Sequence, residues 1–340
     1  MKLFTDYSLE NYNTFRMKSN ADYFAEIEHS HDLPEIFADS ELTNLPKHFL
    51  GKGSNLLLPE KIRGLVIIST MDKIHILDET DMDYLVEVES GAEWDDFIKW
   101  CVSKSIFGLE NLTMIPGSAG AAPVQNVGAY GIEQKDFFLN CEVFDFHTGE
   151  FYDIEKDACC FDYRFSNFKK PEMAHLFITK VRYKLPKNTP PHFNYNDVLK
   201  YFQRNEINLT EVNHIDVFEA IREIRTAKLP NTSQYPNAGS FFKNPIIDKT
   251  TAEYLLSKFP DLHLFQQNEN SFKCSAAFLI EQAGWKGFSE SNAGVSEKHA
   301  LILINKGNAI SDEIKDLAHK IANSVEEQFG IKLEREVIYW

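Results

Sequence analysis

The sequence predicts an α+β protein, and three features of the chain predict it. Runs that alternate apolar and polar residues occupy the stretch up to Leu185. A proline-flanked segment, Pro186 to Pro191, reads as a linker. Helical spacing dominates after it, so strands come first and helices later, unlike a regularly alternating doubly wound sheet. In order, Phe49-Leu50 is a short apolar strand running into Gly51-Lys52-Gly53-Ser54-Asn55, and Leu65 to Ile68 is a buried strand. Tyr84 to Ser90 alternates, with Tyr84, Val86 and Val88 on one face and Glu87 and Glu89 on the other. Trp94, Phe97, Ile98, Cys101 and Val102 follow the i, i+3, i+4, i+7, i+8 spacing of an amphipathic helix. Residues 108–131 are too rich in Gly, Ala and Pro for a regular element. Thr179, Val181, Tyr183 and Leu185 alternate with Lys180, Arg182 and Lys184 as a half-exposed strand. Val217, Ala220, Ile221 and Ile224 form a helical stripe stopped by Leu229-Pro230. Thr250 and Glu253 read as a capping box before Leu255 and Leu256. Ser311 reads as the cap of a helix closed by Gly330, and Val337 to Tyr339 as a last short strand.

Composition narrows the function classes. The 340 residues allow two or three domains, and 43% hydrophobic residues suffice for packed cores. The formal net charge is −16, which opposes nucleic acid and anionic membrane surfaces. Any anionic ligand must be held by a local pocket. The first fifteen residues lack a long apolar region, and no apolar run is long enough to span a bilayer, so a cytoplasmic location is expected. The five cysteines, at 101, 141, 159, 160 and 274, lack the spacing of a disulfide framework or a metal site. Cys159 and Cys160, if on a strand, would face opposite ways. Reduced, mostly buried thiols and no metal are the expectation.

Two small-residue loops are the candidates for holding a cofactor. Gly51-Lys52-Gly53 fails the Rossmann fingerprint, because position 56 is Leu and another strand follows instead of a helix. A glycine turn can still cradle a phosphate through successive backbone N–H groups, although by itself it reads as an ordinary turn between strands. Pro116-Gly117-Ser118-Ala119-Gly120-Ala121-Ala122-Pro123 is almost free of side-chain bulk and leads into Gln125-Asn126 and Gly128-Ala129-Tyr130-Gly131. So long a small-residue stretch suits a molecule lying flat against backbone. Two such loops, one strand–helix unit apart, suit a long cofactor such as a dinucleotide.

These pieces, in this order, resemble one family. Asn13-Thr14-Phe15, Gly51 to Asn55, the whole of 108–131, Tyr163-Arg164 followed by Ser166, Asn237 to Pro245, and Glu334 to Val337 resemble the UDP-N-acetylenolpyruvoylglucosamine reductase (MurB) family, over nearly the whole chain. The resemblance implies a vanillyl-alcohol-oxidase type FAD-binding fold of two subdomains, 1–70 and 71–215, with 331–340 returning to the second. It also implies a separate α+β substrate domain at 216–330. Non-covalent FAD is implied on Gly51, Lys52, Gly53, Ser54, Asn55, Pro116, Gly117, Ser118, Gly120, Ala121, Gln125, Asn126, Gly128, Ala129 and Gly131. Residues 108–131 contain no His or Cys that could tether a flavin. Ala119 stands where the family carries a bulkier residue.

The implied reaction passes a hydride from NADPH to FAD and then to the enolpyruvyl ether of UDP-N-acetylglucosamine, giving UDP-N-acetylmuramate for peptidoglycan. The cofactor carries the hydride chemistry, and the protein supplies orientation and charge. Such a site needs a cation beside the substrate carboxylate and a proton donor over the developing carbanion. Arg164 suits the first task, since guanidinium grips carboxylate with two bonds. Ser240 matches the family's proton donor and Glu336 its second catalytic group. Without the resemblance, these three would read as a surface ion-pairing arginine, a turn serine and a solvated glutamate. Arg225 is implied at the flavin's pyrimidine edge, and Tyr130, Tyr163, Tyr195, Lys228 and Asn244 at the substrate. Tyr195 places the chain in the family's first type. The expected partner is the small-molecule substrate alone, bound by a monomer, with no nucleic acid or membrane. A flavin oxidase of the same fold and a non-enzymatic flavin or nucleotide sensor are the alternatives. Neither gives a reason for Ser240, Arg164 and Glu336 to occur together.

Overall fold

The alternation around Val86 and Val181 builds the central pair of an antiparallel sheet. Asp83–Glu89 pairs with Leu176–Pro186 in a register that sets Val88 opposite Val181 and Val86 opposite Tyr183. The sheet runs in the order Glu150–Glu155, Phe138–Asp145, Leu176–Pro186, Asp83–Glu89, Ile74–Glu79. One face buries Val86, Val88, Val181 and Tyr183 against Trp94, Phe97, Ile98 and Cys101 of the helix Trp94–Ser103. On the other face Arg182 donates to Glu87 and Asp153, each at 2.8 Å. Burial on one face and ion pairs on the other are what the period-2 pattern encodes.

The computed structural model describes residues 1–262 and 264–340, and the chain forms two compact units. The first comprises Met1–Tyr7, Ala21–Lys52 and Arg63–Ala227; the second comprises Ser8–Asn20, Gly53–Ile62 and Lys228–Trp340. Besides the five-stranded sheet, the first unit contains most of a four-stranded sheet ordered Lys2–Ser8, Asn20–Ile27, Lys61–Ser69, Lys47–Leu50. There Lys47–Leu50 lies parallel to Leu65–Ile68. A further core joins Val198 and Phe202 of the helix Asn196–Arg204 to Val217, Ala220, Ile221 and Ile224 of the helix His214–Lys228.

The second unit holds a sheet ordered Asn237–Ser240, Ile302–Asn305, Ala293–Val295, Ser289–Glu290 and another ordered Ile246–Asp248, Ser271–Cys274, Leu264–Asn268. The helix Ser311–Phe329 buries Ile314, Leu317, Ala318, Ile321 and Val325, and Gly330 ends it with φ of 70°. The closing strand Ile338–Tyr339 lies parallel to Leu56–Leu57, just beyond the first glycine loop.

Three local expectations are corrected. The helix Lys249–Lys258 is capped by Asp248, whose Oδ1 accepts from the Thr251 amide at 2.8 Å, so Thr250 lies inside it. Aspartate two residues earlier offers a charged acceptor to the exposed N–H groups of the first turn. Ser311 is likewise inside its helix, and the Ile310 amide is met by Glu313 Oε2 at 2.9 Å. Cys159 ends a short helical turn and Cys160 follows it with φ of 45°, so neither lies on a strand. All five cysteines are free. Among the described residues, no helix is long and apolar enough to cross a membrane.

Candidate active site

The first unit brings the start of the first glycine loop against the second loop. A Cβ placed on Gly51 would stand 2.9 Å from Ser118 Oγ and 3.2 Å from the Ala121 methyl. A side chain at Gly51 would crowd both, so the glycine there answers a packing constraint. The second loop is pinned by its backbone to the end of the central strand and the start of the next helix. The Trp94 amide donates to Gly117 O at 3.0 Å, the Ala119 amide to Ala92 O at 2.9 Å and the Gly120 amide to Ser90 O at 3.0 Å. The buried Trp94 indole adds a bond to Leu112 O at 3.0 Å. Pro116 is exposed, and Gly117, Ala121, Gln125 and Ala129 are half-buried. Lys52 Nζ meets Glu93 at 2.8 Å in an exposed ion pair worth little.

Asn126 is fully buried, and its side chain is committed to segments outside the loop. It donates to Glu133 and to Asp162 O, both at 3.0 Å, and accepts from the Lys135 amide at 3.3 Å. Its contribution to a ligand is therefore confined to its backbone. Asn126, Tyr130, Met114 and Arg164 all hold positive φ, at 47°, 49°, 57° and 53°. Such backbone is costly for side-chain-bearing residues and persists where surrounding structure over-determines it, commonly at functional sites.

Beside these loops lies a cluster of tyrosines and arginines within the same unit. Arg164 Nη2 donates to Gly128 O at 2.7 Å, and its guanidinium lies 5.4 Å from the Tyr163 ring centre. The Tyr130 and Tyr195 rings meet edge to face at 5.2 Å. Burial, with Asp197, Tyr130 and Tyr163 nearby, pushes the Tyr195 phenol up to about 12. Burial also raises Tyr130, opposed by the charge of Arg225 and a hydrogen bond with it. Arg225 donates to Met114 O at 3.1 Å, while its Nε is shielded from solvent with no hydrogen-bond partner among the described residues. Burial pulls its proton affinity down, and Arg164 adds to that pull against Tyr130 and Asp95. A buried donor without an acceptor asks for one from outside the chain. Bulk-free loops, a wanting arginine and a stretch 108–131 without His or Cys fit FAD.

The second unit gathers a separate set. Gly53 has φ of 60°, and a Cβ there would lie 2.3 Å from Tyr12 O. Asn55 accepts from the Ile338 amide at 3.0 Å and donates from Nδ2 to Glu336 O at 3.2 Å. The Glu336 amide in turn donates to Phe241 O at 2.9 Å. Ser240, exposed, thus precedes the residue to which Glu336, half-buried, is bonded. Asn244 Oδ1 accepts the Ala276 amide at the start of a short helix, at 3.0 Å. Lys228 is the exposed last residue of its helix. Arg164 belongs to the first unit, and Ser240 and Glu336 to the second.

Several residues of the first unit escaped sequence reasoning. Glu110, 2% exposed, meets His214 Nδ1 at 2.5 Å, and Phe107 stacks on that imidazole at 4.4 Å. Burial disfavours a charged His214, but the Glu110 hydrogen bond and charge outweigh it and raise its pKa. Asn111 Nδ2 binds Tyr130 O at 3.1 Å and His192 O at 2.8 Å. Asp95 anchors Thr113 and Met114. The one signal in sequence was polar residues interrupting otherwise small or apolar stretches.

Known proteins match this arrangement across the chain. An FAD-binding domain family matches residues 21–155, and the C-terminal domain family of UDP-N-acetylenolpyruvoylglucosamine reductase matches residues 230–340. UDP-N-acetylenolpyruvoylglucosamine reductase of Bdellovibrio bacteriovorus is 40% identical over 341 aligned positions, covering 100% of both chains. That of Flavobacterium johnsoniae is 39% identical over 99% of each. The crystal structure of the Thermus caldophilus reductase shares the fold, with a TM-score of 0.67 and 22% identity over 100% of this chain and 98% of its own. The chain is therefore an FAD-binding domain joined to the reductase's C-terminal domain, and it belongs to the UDP-N-acetylenolpyruvoylglucosamine reductase family.

Proposed function

We propose that this flavin-dependent oxidoreductase uses NADPH to reduce the enolpyruvyl ether of UDP-N-acetylglucosamine to the lactyl ether of UDP-N-acetylmuramate in peptidoglycan precursor synthesis. Full-length identity of 40% to a reductase of that name supports the reaction. Bound FAD supplies the two-electron relay between NADPH and the enol carbon. Gly51, Ser118, Gly120 and Ala121 would line its site, with Arg225 turning towards it an Nε that has no hydrogen-bond partner among the described residues. Arg164 grips the substrate carboxylate, where negative charge builds as hydride arrives. Ser240 gives its hydroxyl proton to the neighbouring carbon, a strong base at that moment, and Glu336 assists the transfer. The observation that carries the last assignment is the Glu336–Phe241 backbone bond at 2.9 Å, which keeps Ser240 and Glu336 on adjoining segments. Tyr195 and Lys228 serve the diphosphate and Asn244 the nucleotide. A cytoplasmic location and a monomeric state are part of the same proposal.

The test is anaerobic. Yellow protein should bleach on adding NADPH and regain its colour on adding UDP-N-acetylglucosamine enolpyruvate. Bleaching without recovery rejects the reaction. Tyr195→Phe removes one binding hydroxyl and no proton donor, so KM should rise several-fold with kcat nearly unchanged. Steady-state kinetics decides it, and an unchanged KM removes Tyr195 from the substrate.

A further inference from the structure

Asp95 is a carboxylate in the middle of a network that the reaction as described does not use. It sits one residue past Trp94, at the start of the helix Trp94–Ser103. Its Oδ1 accepts from Thr113 Oγ1 at 2.7 Å and from the Met114 amide at 2.5 Å. Arg222 Nη1 reaches both carboxylate oxygens at 3.2 Å and Thr113 Oγ1 at 2.9 Å. Lys99 approaches the other oxygen at 2.9 Å. Burial alone would raise this carboxyl, but bonds from Met114, Thr113, Lys99 and Arg222 bring it down to about 2. It is charged at any working pH.

The network ends on Arg225. Arg222 and Arg225 stand three residues apart on one helix, hence on neighbouring positions of one face. Met114 is the shared element: its N–H is held by Asp95, its carbonyl by Arg225, and its backbone is in the left-handed region at φ of 57°. Asp95 therefore acts on Arg225 twice, mechanically through the Met114 peptide and electrostatically as the carboxylate within range of that guanidinium. Arg222 acts with the opposite sign of charge. Its cation is otherwise met by the Phe218 ring, 5.2 Å from centre to guanidinium carbon.

We infer that Asp95 and Arg222 are positioning residues that fix Arg225 and tune the two-electron reduction potential of the bound flavin through their opposite charges. The inference rests on the assignment of Arg225 to the flavin's pyrimidine edge, where reduction adds negative charge. Excess positive charge there favours the reduced form, and lost positive charge the oxidised form.

The experiment measures the midpoint potential of the FAD-loaded protein by dye equilibration, with flavin content and melting temperature recorded alongside. Asp95→Asn keeps the shape of the acceptor but removes its charge, and should raise the potential. Arg222→Gln should lower it. Each shift should correspond to a threefold to tenfold change in the ratio of affinities for reduced and oxidised flavin, tenfold being about 30 mV for a two-electron couple. Arg222→Lys restores the charge without the fork and should return the potential close to the starting value. A role in packing alone loosens Met114 in both variants, so shifts of the same sign overturn the inference. So does an Arg222→Lys shift as large as that of Arg222→Gln, a comparison that stands even if Asp95→Asn does not fold. Arg225→Gln separates the two layers. If it leaves the potential unchanged, the assignment of Arg225 fails and the inference with it. If it lowers the potential while Asp95→Asn and Arg222→Gln move together, only the inference fails.

Discussion

Ser240→Ala should slow the recovery of flavin colour by enolpyruvyl substrate about 10²–10⁴-fold, the range for removing a positioned proton donor. Bleaching by NADPH should proceed at nearly the original rate. The asymmetry follows from chemistry, since only the second half-reaction creates a carbanion that needs a proton. Structural damage from the substitution should be slight. Ser240 is exposed, and its strand pairs through backbone with Ile302, which alanine preserves. Anaerobic stopped-flow absorbance resolves the two halves separately. Equal slowing of both would make Ser240 a structural residue and reopen the identity of the donor.

Arg164→Met should lower kcat for substrate reduction by about 10²–10³-fold, comparable to removing one donor from a preorganised anion site. Binding should weaken as well, because the carboxylate is present before and after hydride arrives. Arg164→Lys distinguishes charge from geometry. Lysine keeps the cation but loses the two-pronged grip, so it should recover only part of the rate. Arg164 also supports its surroundings: it donates to Gly128 O, and Lys169 Nζ donates to its carbonyl at 2.8 Å. Flavin content must therefore be measured for both variants. Loss of flavin together with rate would assign Arg164 to the scaffold of the second loop.

The other outcomes expected above, bleaching and recovery of the flavin and the KM effect at Tyr195, are smaller in mutational scale but test independent parts of the site. The Asp95 and Arg222 variants differ in kind, since their readout is a potential and not a rate.

Local physics was legible in the sequence. Period-2 alternation gave away the strands at Asp83–Glu89 and Leu176–Pro186, and 3.6-residue spacing the helices at Trp94–Ser103 and Ser311–Phe329, because one-sided burial writes itself directly into residue order. Helix starts were less legible. Asp248 and Thr250 are both good caps, and choosing between them depends on where the chain turns. The glycine and alanine run of 108–131 announced a loop shaped around something flat. What it did not disclose was that Gly51 itself packs against Ser118 and Ala121.

By itself, then, the chain's order of residues determined the α+β class, both small-residue loops and, through its motifs, the family. Only the tertiary structure decided three things: that the Asn126 side chain is taken up by Glu133 and Asp162, that Arg225 has a shielded donor without an acceptor among the described residues, and that Asp95 reaches Met114 and Arg222. The reason is range. Periodicity and turn chemistry act over a few residues, whereas a hydrogen bond between positions 95 and 222 exists only once several elements have packed, and nothing in the intervening sequence has to record it.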